Sequence, residues 1–328
     1  MNNRRKLVIA LGAGALVAPF GSFAQQPGKI WRIGVLETIS MALNAANFDA
    51  FRNGMRELGY VEGKNLVIEY RSADGSGARF PDLMTELLQL KVDLIVTRGT
   101  PALLAASNVT RKIPIVMAAI GEPPGQGIVA SLANPSGNVT GLSAFVTELT
   151  GKRIEILREL IGKAPRVAFL ADMSNPISPG QWKETQMAAN SLGIQHQLLE
   201  VRKPEELGRA FDNAIKQRAN GLVVGIDSLT QANRQTIAGL AAKHRLPAIY
   251  ASREFVDAGG LISYGVSYPD LYYRAAGLVD KIFKGTKPGE IPVEQPTKFE
   301  MVINMKTAKT LDIKIPNSVL VQATKVIK

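Results

Sequence analysis

The sequence predicts an α/β protein of two lobes, each a doubly wound parallel sheet with helices on both faces. Short apolar runs alternate with amphipathic segments along the chain, which is the pattern of repeated strand-helix units. This rhythm stops at residues 139–143 and then starts again. The chain has 328 residues, a length that suits two domains. Right-handed crossovers between parallel strands then make each lobe doubly wound.

The first lobe is predicted from four apolar runs with helices between them. Phe48, Phe51 and Met55 recur at helical spacing, and Gly59 follows as a helix stop. The predicted strands are 31–36, 66–70, 93–97 and 113–117, and the predicted helices are 48–58, 83–90 and 101–108.

The second lobe repeats the pattern, and the tail adds elements that complete neither sheet. Its predicted strands are 166–170, 197–201, 221–225 and 248–250, and its helices are 149–161, 181–192, 205–217 and 231–244. The tail adds a helix at 267–283, a strand at 299–304 and a short helix at 306–310. A helix and a strand left over after two sheets indicate that the chain crosses back between the lobes. Several crossings would form a hinge.

The N-terminus has the layout of a cleaved signal peptide. Residues 1–6 contain three basic residues and no acid, residues 7–20 are an apolar run, and a small-residue site predicts a cut after Ala24. The apolar run is about 14 residues long, whereas a membrane-spanning helix needs roughly 20. We therefore expect residues 1–24 to be removed and the protein to reach the periplasm, by the general or the twin-arginine route.

Charge and cysteine content narrow the class of protein. The net charge is +11, and the basic residues are spread along the chain without an arginine-rich run, so we expect no nucleic-acid partner. Cysteine is absent, which excludes a disulfide framework and a lipid-anchored N-terminus.

Ligands of open parallel sheets bind outside the carboxyl ends of the strands, so the residues there are the candidates for a binding site. In the first lobe the ligand-binding candidates are Glu37, Thr38, Thr97, Gly99, Thr100, Pro101, Ala102 and Glu122. In the second lobe they are Asn175, Asp227 and Glu254.

Thr100 and Pro101 suggest how an anion would bind. Thr100 is a good helix cap and Pro101 suits the first helical position. The amides of such a first turn favour a carboxylate, and a nearby acid would favour an ammonium group. The carboxylate partner and the ammonium partner together predict an amino-acid-like zwitterion as ligand. The alternative is that Thr100 only caps its helix.

Catalytic and cofactor motifs are missing. The sequence contains no HExxH, GxSxG or phosphate-loop motif, and its two histidines, His196 and His244, lie in different strand-helix units. We expect no metal, no cofactor and no enzymatic activity. Two alternatives to a solute receptor stay open: a ligand-sensing module for a membrane receptor, and an exported hydrolase that uses Glu122 with Asp227.

A long central run resembles the signature of a known family. Gly121-Glu122-Pro123 is followed by the run 127–143, GIVASLANPSGNVTGLS, and residues 253–255 and 302–308 add further matches. The chain resembles ABC transporter substrate-binding proteins related to tryptophan and aromatic amino-acid uptake receptors. It departs at Glu122, where that family commonly has Asp.

The resemblance implies a type I periplasmic-binding fold whose chain crosses three times between the lobes. Lobe one would contain residues 30–143 and 268–285, and lobe two would contain 144–267 and 299–328. The hinge would include Thr140, Gly141, Leu142 and Ser143. The implied partners are a small molecule and an ABC permease with its ATPase in the inner membrane, and we expect a monomer.

Overall fold

The computed structural model describes residues 29–121, 127, 129–135, 137–162 and 165–328. The expected leader and Glu122 lie outside these residues. Two sheets with helices on their faces form the described chain, so the predicted fold class is confirmed.

The first sheet has the strand order β2-β1-β3-β4-β5, and its neighbouring strands run parallel. The chain places β2 on one side of β1 and then returns to place β3, β4 and β5 on the other side. This strand order is the doubly wound pattern. The strands are β1 (Trp31–Glu37), β2 (Leu66–Ser72), β3 (Leu94–Arg98), β4 (Ile115–Ile120) and β5 (Val139–Ser143). The helices are α1 (Ala45–Glu57), α2 (Phe80–Gln89) and α3 (Thr100–Val109).

The second sheet has the order β12-β11-β10-β9-β8-β6-β7. Its strands are β6 (Arg166–Ala171), β7 (Gln195–Glu200), β8 (Gly221–Val224), β9 (Ala248–Tyr250), β10 (Ile262–Val266), β11 (Phe299–Asn304) and β12 (Lys325–Ile327). The helices before β11 are α4 (Thr150–Ile161), α5 (Ser178–Ser191), α6 (Leu207–Lys216), α7 (Ser228–Ala232), α8 (Arg234–Lys243), α9 (Arg253–Asp257) and α10 (Tyr268–Phe283). After β11 come α11 (Met305–Thr310) and α12 (Asn317–Leu320).

Apolar residues cover both faces of each sheet. On the first sheet, Phe48, Phe51 and Met55 of α1 pack with Tyr272 of α10 in one core, while Leu87 and its neighbours on α2 and α3 form a core on the other face. Two further cores cover the faces of the second sheet. Helix α10 therefore follows a strand of the second sheet but packs on α1, β4 and β5 of the first.

The second sheet departs from the all-parallel prediction. Strand β11 runs antiparallel to β10, and β10 and β12 were not predicted from the sequence. The chain between β10 and β11 leaves for the first sheet through α10, so no direct crossover fixes the direction of β11. The helix predicted at 231–244 is also divided, because α7 ends before Asn233 and α8 begins after it.

The chain passes between the two sheets after β5, after β10 and before β11. The four predicted hinge residues, Thr140, Gly141, Leu142 and Ser143, lie within strand β5, so the first passage begins after them. Their role in a hinge and the lobe boundaries stay predictions.

Side chains tie these passages together. Arg153 on α4 is buried, and its guanidinium donates to the Tyr264 carbonyl at 2.9 Å and to the Val146 carbonyl at 3.1 Å. The Val146 carbonyl lies in the first passage, just after β5, and the Tyr264 carbonyl lies in β10, the strand that precedes the second passage. Arg274 on α10 donates to a carboxylate oxygen of Glu294 at 2.6 Å, next to the third passage.

Candidate functional site

A small cavity lies between the carboxyl ends of the two sheets. Its volume is about 40 Å³. The first sheet and the loops after its strands contribute Thr38, Arg98, Gly99, Thr100, Ala119, Gly121, Ala144 and Val146. The second contributes Asn175, Ile177, Ile226, Asp227, Ser228 and Gln231, and Tyr268 comes from the start of α10.

A larger space of about 630 Å³ adjoins this cavity and opens outward between the sheets. Asn175 and Ser228 line both spaces. Residues 74–78 and Pro101 border the larger space on one side, and Asp172 and Lys203 are among those on the other. We call the two spaces the inner cavity and the outer space.

Gly99 forms the sharp turn that leads from β3 into α3. Its φ is 80°, in the left-handed region that favours glycine, and a Cβ there would lie 2.7 Å from the Thr38 methyl carbon. Gly99 is therefore the cap residue and Thr100 the first helical residue, which corrects the predicted capping role of Thr100. The Thr100 hydroxyl instead donates to the Gly121 carbonyl at 3.4 Å.

Arg98 is the buried cation of the inner cavity. Only 3% of the residue is exposed. One guanidinium nitrogen donates to Asn44 Oδ1 at 2.8 Å, and the guanidinium carbon lies 4.7 Å from the centre of the Tyr268 ring. Burial lowers the pKa of Arg98, but Tyr272, Glu37 and Glu254 beside it raise the pKa by more, so the side chain is charged. Arg98 is the last residue of β3 and was not among the predicted ligand-binding residues.

Glu254 reaches across the gap from the second sheet to the first. Its Oε1 accepts a hydrogen bond from Asn47 Nδ2 at 3.0 Å and lies 3.7 Å from Arg98 Nη2. Burial raises the pKa of Glu254, but Arg98 and the hydrogen bonds lower it further, so the pKa is below its usual value. A second bond spans the gap nearby, from Arg234 Nη2 to the Leu43 carbonyl at 2.7 Å.

Glu37 lies behind the inner cavity and does not line it. Its carboxylate accepts a hydrogen bond from the Tyr272 hydroxyl of α10. Burial raises the pKa of Glu37 to about 7, although Arg98 and the Tyr272 hydrogen bond lower it. Glu37 therefore connects β1 to α10.

Asp227 lines the cavity, but its two carboxylate oxygens already have partners. Oδ1 accepts from the Thr230 amide at 2.8 Å and Oδ2 from the Asp172 amide at 3.0 Å. Asp227 is thus the cap of α7, in a capping box with Thr230. Burial raises its pKa to about 7, and the backbone hydrogen bonds lower it.

Three residues of the inner cavity have buried polar atoms with no hydrogen-bond partner among the described residues. These atoms are Arg98 Nη2, Ser228 Oγ and Gln231 Oε1. Buried polar atoms are almost always paired, because an unpaired one costs about 1–3 kcal/mol. The three atoms include a charged donor from the first sheet and an acceptor from the second.

The predicted ligand-binding residues divide into four groups. Thr38, Gly99, Thr100, Asn175 and Asp227 line the inner cavity, and Pro101 lines the outer space. Glu37, Thr97, Ala102 and Glu254 are not among the residues lining either space. Glu122 is outside the described residues. The inner cavity is also lined by residues that were not predicted, among them Arg98, Ser228, Gln231 and Tyr268.

In the part of the chain that the structure describes, no group of three or more histidine, cysteine or acidic side chains could hold a metal ion. No described helix has both the length and the apolar character needed to cross a membrane.

Comparison with known proteins identifies the family. Residues 32–327 match the family described as ABC transporter substrate binding protein. The chain belongs to this family. A tyrosine-binding protein of Clostridioides difficile is 27% identical over 263 residues, which cover 80% of this chain and 75% of that protein.

One solved structure agrees with this assignment, and another shares the fold. An ABC domain from Streptococcus pneumoniae in complex with L-Trp is 26% identical to this substrate-binding protein, with a TM-score of 0.83 over 90% of this chain and 99% of the other. A leucine-binding protein of Thermotoga maritima shares the fold at 14% identity, with a TM-score of 0.59 over 78% of this chain and 83% of the other.

Proposed function

We propose that this substrate-binding protein is the periplasmic subunit of an ABC importer and captures an amino-acid-like, small carboxylate or aromatic solute between its two lobes. One observation carries the proposal: the inner cavity has unpaired buried polar atoms on both of its sides. A solute that pairs with Arg98 on one side and with Ser228 or Gln231 on the other stabilises the arrangement in which the lobes face each other.

The two spaces suit a solute with a polar head and a larger body. A buried water needs roughly 10–15 Å³, so the inner cavity of about 40 Å³ has room for about three water-sized groups, as in a carboxylate. The outer space of about 630 Å³ is within the usual range for small-molecule sites. An amino-acid solute matches this division, and the names of the C. difficile and S. pneumoniae relatives support that class.

The partners follow from the family. Substrate-binding proteins of ABC importers act outside the cytoplasm, and we propose that this one works as a monomer with a permease and its ATPase after cleavage behind Ala24. It acts by binding and not by catalysis. Asp227, one of the two acids of the hydrolase alternative, is engaged by two backbone amides and is poorly placed to act as a base.

A binding screen tests the proposal. Amino acids, small carboxylates, aromatics and neutral sugars are added to the mature protein, and thermal unfolding is followed. A solute at 100 times its dissociation constant stabilises by about 2.7 kcal/mol. Gln231→Leu should weaken the best hit at least tenfold in calorimetry, whereas Gln217→Leu, on an exposed residue, should leave it unchanged. A flat response to every class contradicts solute capture.

A further inference from the structure

Two buried arginines, Arg98 and Arg234, lie at the gap between the lobes, and Glu254 is the acid with a lowered pKa that faces them. Burial lowers the pKa of Arg234 most, and the charge of Arg98 lowers it further. Burial raises the pKa values of Glu37 and Asp227 to about 7, so neither acid is a full counter-charge at neutral pH.

Arg98 also has a donor left over. Its Nη1 is bonded to Asn44, whereas Nη2 has no hydrogen-bond acceptor among the described residues. The nearest carboxylate oxygen, on Glu254, is 3.7 Å from Nη2, which is too far for a hydrogen bond. A fixed guanidinium with a spare donor is a strong and specific partner for a carboxylate.

The first turn of α3, where the sequence predicted the anion, offers fewer free N–H donors. Pro101 has no N–H, and the Leu103 amide already donates to the Gly99 carbonyl at 3.2 Å. The guanidinium of Arg98, beside this turn, is the stronger anion partner in the inner cavity.

We propose that Arg98 selects the solute by binding its carboxylate in the inner cavity, so that the solutes of this protein are carboxylates. This inference rests on the proposed function and names the solute class. A neutral solute would leave a buried cation with an unpaired donor, and that penalty is the source of the selectivity. Arg98 is then a specificity-determining residue, and Glu254 is a positioning residue that holds the guanidinium from the opposite lobe.

Matched probes test the inference in calorimetry. The pairs are L-tyrosine with L-tyrosinamide, L-tryptophan with L-tryptophanamide, L-leucine with L-leucinamide and succinate with succinamide, and myo-inositol and D-glucose are the uncharged probes. Each amide keeps the shape of its partner and removes the negative charge. We expect the best-binding carboxylate to bind at least about thirtyfold more tightly than its amide, which is the lower end of the loss for a buried charge pair.

Two variants of Arg98 distinguish loss of the carboxylate contact from a general loss of folding or binding. Arg98→Gln should remove the preference for the carboxylate over its amide, and Arg98→Lys should keep part of it, because the charge remains without the planar fork. Arg56→Gln is the matched control, since Arg56 is exposed on α1 and lines neither the inner cavity nor the outer space. It should leave the affinities for carboxylate and amide, and therefore their ratio, unchanged. If Arg98→Gln fails to fold, Arg98→Lys decides by the same ratio.

The outcomes distinguish the inference from the proposed function. Tight binding of myo-inositol, D-glucose or an amide, with no effect of Arg98→Gln or Arg98→Lys on the preference, overturns the role of Arg98 and leaves solute capture intact. Absence of binding by every probe and every solute of the wider screen contradicts the proposed function, and the inference falls with it.

Discussion

Several buried ionisable side chains lie where the two sheets face each other, and each makes a different contact. Glu37 holds α10 through Tyr272, Asp227 caps α7, and Glu254 reaches across the gap to Arg98. Since a buried charge is costly unless it is paired, these contacts fix the local geometry of the site.

Glu37 should make the stability of the protein depend on pH. Burial raises its pKa from 4.5 to about 7 in the folded protein, so folding favours the protonated form. Its contribution to stability is complete below about pH 4.5 and is lost as the pH rises to about 7. Glu37→Gln removes this loss, so the variant should gain about 3 kcal/mol on the wild type between pH 4.5 and 7.5.

Urea denaturation of both proteins at the two pH values measures this difference. Asp227 has a raised pKa of the same sign but is present in both proteins, so its effect cancels. A difference in the free energy of unfolding that stays constant with pH would show that Glu37 keeps an ordinary pKa.

Five residues that line the inner cavity were predicted from the rule that ligands bind at strand ends. The rule does not predict the direction of each side chain. Ala102 points into the core with Leu103, and Arg98, one residue before the turn at Gly99, points into the gap. The turn at Gly99 has a positive φ, and the sequence alone does not state the backbone path there.

At the scale of elements, strand β5 and the third passage form one unit. The amide of Glu294 donates to the Gly141 carbonyl at 2.8 Å, and the Ser143 amide donates to the Glu294 carbonyl at 2.9 Å. The chain that returns from α10 is thereby attached to the strand at which it first left. These bonds hold β5 and the returning chain together at the point where the first and third passages leave for the second sheet.

Gly141 is the residue of β5 that tolerates no side chain. Its φ is 148°, and a Cβ would lie 2.2 Å from the Met117 carbonyl oxygen of β4. Gly141→Ala should therefore lower the free energy of unfolding by about 3 kcal/mol through overpacking. Gly208→Ala is the control, because this helical glycine has open space around it and its replacement should stabilise by up to about 1 kcal/mol. Equal melting temperatures for the two variants would contradict this view of β5.

Periodicity predicted the strands and helices that repeat regularly, and it failed where the repeat is broken. The short run at 139–143 contains a glycine and was not predicted as a strand, although these residues pair with β4 as one. The direction of β11 depends on the route of the chain through the first sheet, which is a long-range property without a local signal.

At the scale of the whole molecule, two direct bonds join the lobes beside the inner cavity. Glu254 accepts from Asn47 at 3.0 Å, and Arg234 donates to the Leu43 carbonyl at 2.7 Å. The restart of the strand-helix rhythm was enough to predict two lobes. The bonds between the lobes were not predictable, because they join residues about 190 or more positions apart in the chain.

Hydrogen exchange with the best-binding solute of the screen tests the central claim, which is capture between the lobes. We expect slower exchange on both sides of the inner cavity at once, in peptides that span residues 98–104 and 226–232. Protection on one side alone would contradict capture between the lobes. So would protection confined to the open groove of about 730 Å³ between β7 and α6, which lies on the second lobe.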